Sequence, residues 1–326
     1  MEQEEVFTNR IDLSALKSGM ERVRSEIGKI LVGQHKTVDL ILTAILADGH
    51  ILIEGVPGIA KTLTAKLTAK SISLDFSRIQ FTPDLMPSDV LGTSVFNLKK
   101  SEFEFKSGPI FSNIILIDEI NRAPAKTQSA LFEVMEERQA TIDGTTYIMK
   151  DPYIVLATQN PIEQEGTYRL PEAQIDRFLM KIEVGYPTLD EEVAILNGFH
   201  QNTSYRRLDD INPVLRGEEI LSFRETIRSI HVEEKLMQYI GKIIHQTRNH
   251  PDIYLGGSPR ASLAILATSK AYAAMNGRDF ITPEDIRFVI NPVLKHRLIL
   301  SPEKEMEGVN PETVIKQIVD SIEIPR

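Results

Sequence analysis

The eight residues Gly55-Val56-Pro57-Gly58-Ile59-Ala60-Lys61-Thr62 set two glycines and a proline, then a lysine and a threonine, between an apolar run and a helix-like one. A lysine beside a backbone with so little side-chain cover has a chemical use if an anion sits against that backbone. The pattern G-x-x-x-x-G-K-[ST] works in this way. Its N–H groups turn inward around phosphates, the lysine reaches the β- and γ-phosphates, and the hydroxyl reaches Mg²⁺. Ala60 stands where the second motif glycine is expected, which is tolerable provided φ stays negative there. A helix starting at Lys61 adds its N-terminus to the anion site. The competing reading is a Gly-rich corner with an exposed lysine.

A second cluster bears on that choice. The run "IILIDEIN" places Asp118 and Glu119 at the end of the most apolar segment of the chain. Adjacent carboxylates at a buried strand tip are costly unless a cation or substrate uses them. In phosphate chemistry Asp118 would hold Mg²⁺ through its water shell and Glu119 would polarise the attacking water. A third run, "VLATQNP", ends on Asn160. Strand ends of a parallel sheet share one edge, so Asn160 belongs near Asp118, where an amide can orient water. An Asn before a Pro is also an ordinary turn residue.

These residues need a sheet to bring them together. "HILIEG", "FSRIQF", "NIILIDE" and "YIVLATQN" are short runs rich in Ile, Leu and Val, the signature of strands buried on both faces. Helix-like segments alternate with them, which predicts an α/β domain with a parallel sheet. Two amphipathic helices precede it, the first carrying Met20, Val23, Ile27, Ile30 and Leu31. Two hairpins interrupt the rhythm. One carries Phe103 and Phe105 among charged residues, and the other turns at Asp143-Gly144. Phe96, Phe103 and Phe105 either line a substrate path or pack their hairpin onto the sheet. Beyond Gly185–Pro187 the chain turns mostly helical, with Thr282, Pro283 and Asp285 marking one N-terminus.

Composition narrows the function classes. The net charge is −9, against the basic excess of general nucleic-acid binders. There is no cysteine, so disulfides, thiol catalysis and cysteine zinc sites are excluded. No apolar run is long enough for a transmembrane helix, and the acidic start MEQEEVFTNR is unlike a secretory signal. A cytoplasmic location without membrane insertion is the expectation. His35, His231 and the other histidines have no ligand spacing and read as surface or helix residues.

Taken together, "VGQ" (Val32–Gln34), "GVPGIAKT", "LIDEINRA" (Leu116–Ala123), "ATQNP", "GTYRLPEAQIDRF" (Gly166–Phe178) and "GGSPRA" (Gly256–Ala261) resemble a MoxR-type AAA+ ATPase over nearly the full length. Ala60 suits that family. Where its members often have proline this chain has Arg169, which is assigned no role. The resemblance implies a P-loop AAA+ core with a parallel sheet and two inserted β-hairpins in residues 1–186, then an all-α lid in residues 187–326. It implies ATP or ADP contacts from Val32, Gly33 and Gln34, and from Gly55, Pro57, Gly58, Ile59, Ala60, Lys61, Thr62 and Leu63, with Mg²⁺ on Thr62 and Asp118. The catalytic set becomes Lys61, Asp118, Glu119, Asn160, Arg177 as the finger reaching a neighbouring subunit, and Arg260 as the sensor arginine of the lid. Each arginine, taken singly, is also a plausible surface ion pair, and Arg122 is a weaker interface candidate. Family members act as homo-oligomers, often hexameric rings. They remodel protein clients, often beside partners with von Willebrand factor A domains. A nucleic-acid motor on the same fold is the alternative. A small-molecule kinase or a GTPase fits less well, because the Asp-Glu pair suits water activation and no Asn-Lys-x-Asp motif occurs.

Overall fold

A computed structural model describes residues 11–56, 58–160, 168, 170–201 and 208–325. Two helices come first, α1 (Ser14–Gly28) and α2 (His35–Leu46). Strand β1 (Ile51–Gly55) leads into α3 (Lys61–Ser71), then β2 (Phe76–Gln80) and the short α4 (Pro87–Leu91). The hairpin β3 (Gly92–Asn97) and β4 (Glu102–Ser107) precedes β5 (Ile114–Asp118) and α5 (Ala125–Glu137). A second hairpin, β6 (Gln139–Ile142) and β7 (Thr145–Ile148), precedes β8 (Ile154–Gln159). Then come α6 (Glu172–Ile175), β9 (Met180–Val184) and α7 (Leu189–Gln201). The remainder is α8 (Gly217–Arg228), α9 (Glu234–Asn249), β10 (Ile253–Leu255), α10 (Pro259–Met275), α11 (Pro283–Leu294), β11 (Ile299–Leu300), α12 (Pro302–Met306) and α13 (Pro311–Ser321).

The main sheet is parallel, in the order β2-β5-β8-β1-β9. Its fifth strand, β9, goes beyond the four apolar runs read from sequence. Met180, Ile182 and Val184 are buried, whereas Lys181 and Glu183 pair with Glu54 (2.7 Å) and Lys295 (2.8 Å). This half-charged alternation is that of an edge strand, weaker than a continuous apolar run. The lid region is helical as expected, with one added antiparallel pairing of β10 and β11.

Alternation along the inner strands divides the interior into two cores. Ile53, Leu116 and Leu156 join a cluster that extends through α1, α2 and the lid helices. Leu52, Ile115, Ile117 and Val155 face the other way, onto Leu131, Phe132 and Met135 of α5. The helix α1 stops before Ile30 and Leu31, although they continue its apolar spacing. Both their N–H groups bond back to the Ile27 carbonyl, and this turn directs residues 32–34 toward the loop after β1.

One guanidinium seats the lid. Arg297, after α11, is 8% exposed and donates Nε to Asp176 Oδ1 at 2.7 Å. Its terminal nitrogens bond the carbonyls of Phe178 (2.7 Å) and Leu179 (3.0 Å), in the turn leading into β9. Next to it, His296 Nε2 donates to the Phe178 carbonyl at 3.0 Å. His296 and His50, read from sequence as surface or helix residues, are in fact buried. His50 Nε2 donates to the Met135 carbonyl and its Nδ1 accepts from the Val155 N–H, so backbone partners hold the ring neutral between β1, α5 and β8.

Two expectations follow from these buried groups. Arg297→Met removes the charged partner of the half-buried Asp176 carboxylate and a donor to the Phe178 and Leu179 carbonyls, and should cost about 3–5 kcal/mol in chemical denaturation. The histidines set the acid limit. Burial lowers the His50 pKa to about 3, and pushes that of His296 well below the ordinary value of 6.5. With depressed folded values, stability is full above pH 6.5 and is lost as pH falls below it, because only the unfolded chain takes up the protons. At about 1.4 kcal/mol per pH unit below pH 6.5, His50 should cost about 2 kcal/mol on moving from pH 7 to pH 5, and His296 adds in the same direction. His50→Asn should remove its share of that slope in urea melts followed across pH.

Candidate nucleotide-binding site

All five strands of the parallel sheet point their C-terminal ends at one edge, and the candidate residues gather there. The loop after β1 closes with Ala60 as the N-cap of α3. Ala60 has φ +59°, against the expected negative value. The turn into α3 holds it in the left-handed region, at about 1–2 kcal/mol for a non-glycine residue. Gln34 supports the loop by donating its amide to the Ile59 carbonyl at 3.2 Å. Gly55 is obligatory for a different reason. A Cβ there would lie 2.4 Å from Ile59 Cδ1 and 2.7 Å from the Val184 carbonyl oxygen.

Lys61 folds back over this loop and donates Nζ to the Gly55 carbonyl at 2.5 Å. Partial burial lowers its pKa, opposed by the nearby negative charges of Asp118, Glu119 and Glu54. Asp118 is 7% exposed at the tip of β5. Its Oδ1 accepts from Thr158 Oγ1 at 3.2 Å and its Oδ2 from Arg78 Nε at 2.6 Å. Glu119 is in the left-handed region at φ +58°, its N–H donating to Thr158 Oγ1 at 3.0 Å. That turn sends its carboxylate outward, where Gln80 (2.9 Å) and Arg122 (3.1 Å) meet it. Asn160 follows directly on β8, one residue beyond the Glu54–Gln159 pair, and so stands level with Gly55.

Next to the loop opens a cavity of about 630 Å³, within the range of small-molecule sites. Val32, Gln34, Gly58, Ile59, Ala60 and Leu63, all named as candidates from the sequence, line it. Gly33 does not; it borders a separate cavity of about 230 Å³, packed against Glu191. Thr62, the second residue of α3, is half-buried beyond the cavity wall. Pro57, Arg169 and residues 161–167 lie outside the described residues. Sequence reasoning missed Tyr186, Pro187, Ile195 and Phe199 on the far wall. Their only signal is apolar side chains left exposed on and before α7. It also missed Arg78 and Gln80, which share one face of β2 opposite the carboxylate pair.

The two arginines sit elsewhere. Arg260 Nη2 donates to Glu136 Oε1 at 2.7 Å, and Arg177 Nε lies 3.9 Å from Glu136 Oε2. Arg177 also donates to the Phe132 carbonyl at 2.6 Å. Glu136 ends α5, and a cavity of about 370 Å³ joins it to His50, Arg177, Arg260 and Arg297 at the start of β1. The arginines are therefore separated from Lys61 of their own chain by the length of β1, about 15 Å at 3.3 Å per residue. In the hairpins, Phe105 stacks on Tyr147 at 4.2 Å and is a packing residue, whereas Phe96 and Phe103 pair at 5.2 Å on an exposed tip.

Known proteins share this fold. The family described as "ATPase family associated with various cellular activities (AAA)" matches residues 50–180, and an AAA lid domain matches residues 245–318. The protein YeaC of Bacillus subtilis is 45% identical over 92% of each chain. Chaperone MoxR1 of Mycobacterium tuberculosis is 41% identical over 96% of this chain and 84% of its own. The crystal structure of an ATPase candidate from Cytophaga hutchinsonii superposes with a TM-score of 0.90 at 42% identity, covering 96% of this chain and 97% of that one. A phosphate-type loop, a carboxylate pair and a lid thus occur together on a sheet shared with these relatives, and the chain belongs to the MoxR-type AAA+ ATPases.

Proposed function

We propose that this ATPase hydrolyses ATP with Mg²⁺ at the contact between two copies of the chain and uses the cycle to remodel or assemble protein partners. The observation that carries the reading is the separation of Lys61, Asp118 and Glu119 at one sheet edge from Arg177 and Arg260 at the other. A chain so built supplies the loop for one nucleotide and the arginines for another. We keep the division into residues 1–186 and 187–326, although one core cluster runs through both.

In this reading Val32, Gln34 and Leu63, with Tyr186 and Phe199, hold the base and sugar side of the nucleotide. The N–H groups from Gly58 to Thr62 take its phosphates. Lys61 exchanges the Gly55 carbonyl for phosphate oxygens, a charge-assisted contact stronger than the neutral one it leaves. Thr62 and Asp118 supply the oxygens for Mg²⁺, which when bound neutralises charge on the transferring phosphoryl group. Glu119 accepts the proton of the attacking water, which Asn160 orients by hydrogen bonding. Arg177 and Arg260, rigid and permanently charged, stabilise the neighbour's phosphates. Glu136, which holds both in the single chain, would yield them to a stronger anion.

The relative named as a chaperone supports a protein client. A ring, hexameric in this family, and a partner with a von Willebrand factor A domain complete the proposal. The cytoplasm, where ATP is abundant, is the setting that suits it. The net charge of −9 speaks against the nucleic-acid motor.

Two variants test this reading. Lys61→Ala should lose tight ATP binding and turnover. Glu119→Gln should bind ATP with near-normal affinity yet hydrolyse it at least about a hundredfold more slowly, the scale of a lost general base. An ATP-loaded oligomer of the Glu119→Gln protein should accumulate on size-exclusion chromatography. Wild-type turnover in that variant would mean that another group activates the water.

A further inference from the structure

Each oxygen of the Asp118 carboxylate accepts one hydrogen bond, and the two partners differ in kind. Thr158, on the Oδ1 side, is 2% exposed and is fixed by a second bond, accepting the Glu119 N–H. Arg78, on the Oδ2 side, reaches across from the edge strand β2 with a side chain 49% exposed. No other bond holds its guanidinium among the described residues. On the same face of β2, Gln80 holds Glu119, but as an amide it brings no charge. Asp118 thus already has a cation in place, one that is long, half-solvated and, among the described residues, hydrogen-bonded to it alone.

We propose that Arg78 is the countercation of Asp118 and competes with the divalent ion for it, so that Arg78 sets the apparent metal affinity of the nucleotide-loaded protein. This rests on the reading of Asp118 as the carboxylate that holds the metal. The physical reason is exclusion by like charge. A guanidinium 2.6 Å from Oδ2 and a divalent ion on the same carboxylate repel each other at short range, where screening is weak. Thr158 is neutral and buried and can stay. Arg78 is the partner that yields, and its solvated side chain gives it somewhere to go. Without nucleotide, the same contact keeps the buried carboxylate compensated, and divalent binding stays coupled to nucleotide binding.

The test uses Mn²⁺ as the probe, with free ion followed by electron paramagnetic resonance in saturating ADP. Arg78→Gln should bind Mn²⁺ roughly tenfold more tightly than wild type, the scale of one hydrogen bond between charged groups. Arg78→Lys keeps the charge and should fall between the two. Asp118→Asn should bind Mn²⁺ more weakly than wild type. ADP affinity measured in excess chelator should be the same for wild type and Arg78→Gln. Unchanged or weaker Mn²⁺ binding by Arg78→Gln, with Asp118→Asn weakened, would overturn the proposal and leave the Asp118 reading intact. Wild-type Mn²⁺ binding by Asp118→Asn would overturn the reading itself. A loss of metal-free ADP binding in Arg78→Gln would make Arg78 a phosphate ligand, which also overturns the competition.

Discussion

Asp176 and Arg297 meet at 2.7 Å, and the position of the lid relative to the parallel sheet depends on that contact. Arg297 enters a nearly dry site, where removing a cation from water is offset only by good geometry and several acceptors. It finds them in Asp176 and in the Phe178 and Leu179 carbonyls, all within the few residues between α6 and β9. Asp176 also accepts a hydrogen bond from Ser258 at 3.3 Å, two residues before Arg260. The lid is therefore tied to the edge where the strands begin, and Arg260 is carried there beside Arg177.

That placement divides the chemistry between the two ends of one sheet. At the end where strands finish, a lysine and two carboxylates stabilise one another around a loop shaped by Gly55, Gly58 and a strained Ala60. At the end where strands begin, two arginines share one glutamate on a surface that faces away from the first site. The covalent chain keeps the halves about a strand length apart, so only a second copy can unite them in the proposed cycle. The edge strand β2 adds a local control, since Arg78 and Gln80 occupy the carboxylates in the single chain.

Much of this was legible in the sequence, for physical reasons. The loop is read from glycines that the backbone path requires, and Asp118-Glu119 from the cost of ending a buried strand on two charges. Both hairpins and the four apolar runs took their expected places, three as inner strands and β2 at an edge. What the sequence concealed was non-local. β9 escaped notice because its alternate residues are charged and paired to other elements. His50 and His296 looked ordinary because nothing local marks a histidine whose partners are distant carbonyls. The φ of Ala60 defied its residue type because the turn into α3 overrides a penalty of about 1–2 kcal/mol. The roles of Arg78 and Arg297 depend on which strands lie side by side, and periodicity does not carry that information.

The most direct test of the divided site is ATP hydrolysis by a mixture of two inactive proteins. Arg177→Ala keeps its own loop and should bind ATP, with turnover lower by about 10³–10⁵, the range that arginine fingers supply. Lys61→Ala keeps its arginines but cannot hold nucleotide productively. When the two associate, some contacts join an intact loop to an intact Arg177, and activity should return in proportion to those contacts and rise with total concentration. If subunit exchange is demonstrated and the mixture stays as inactive as its components, Arg177 does not act across the interface and the division described here is wrong.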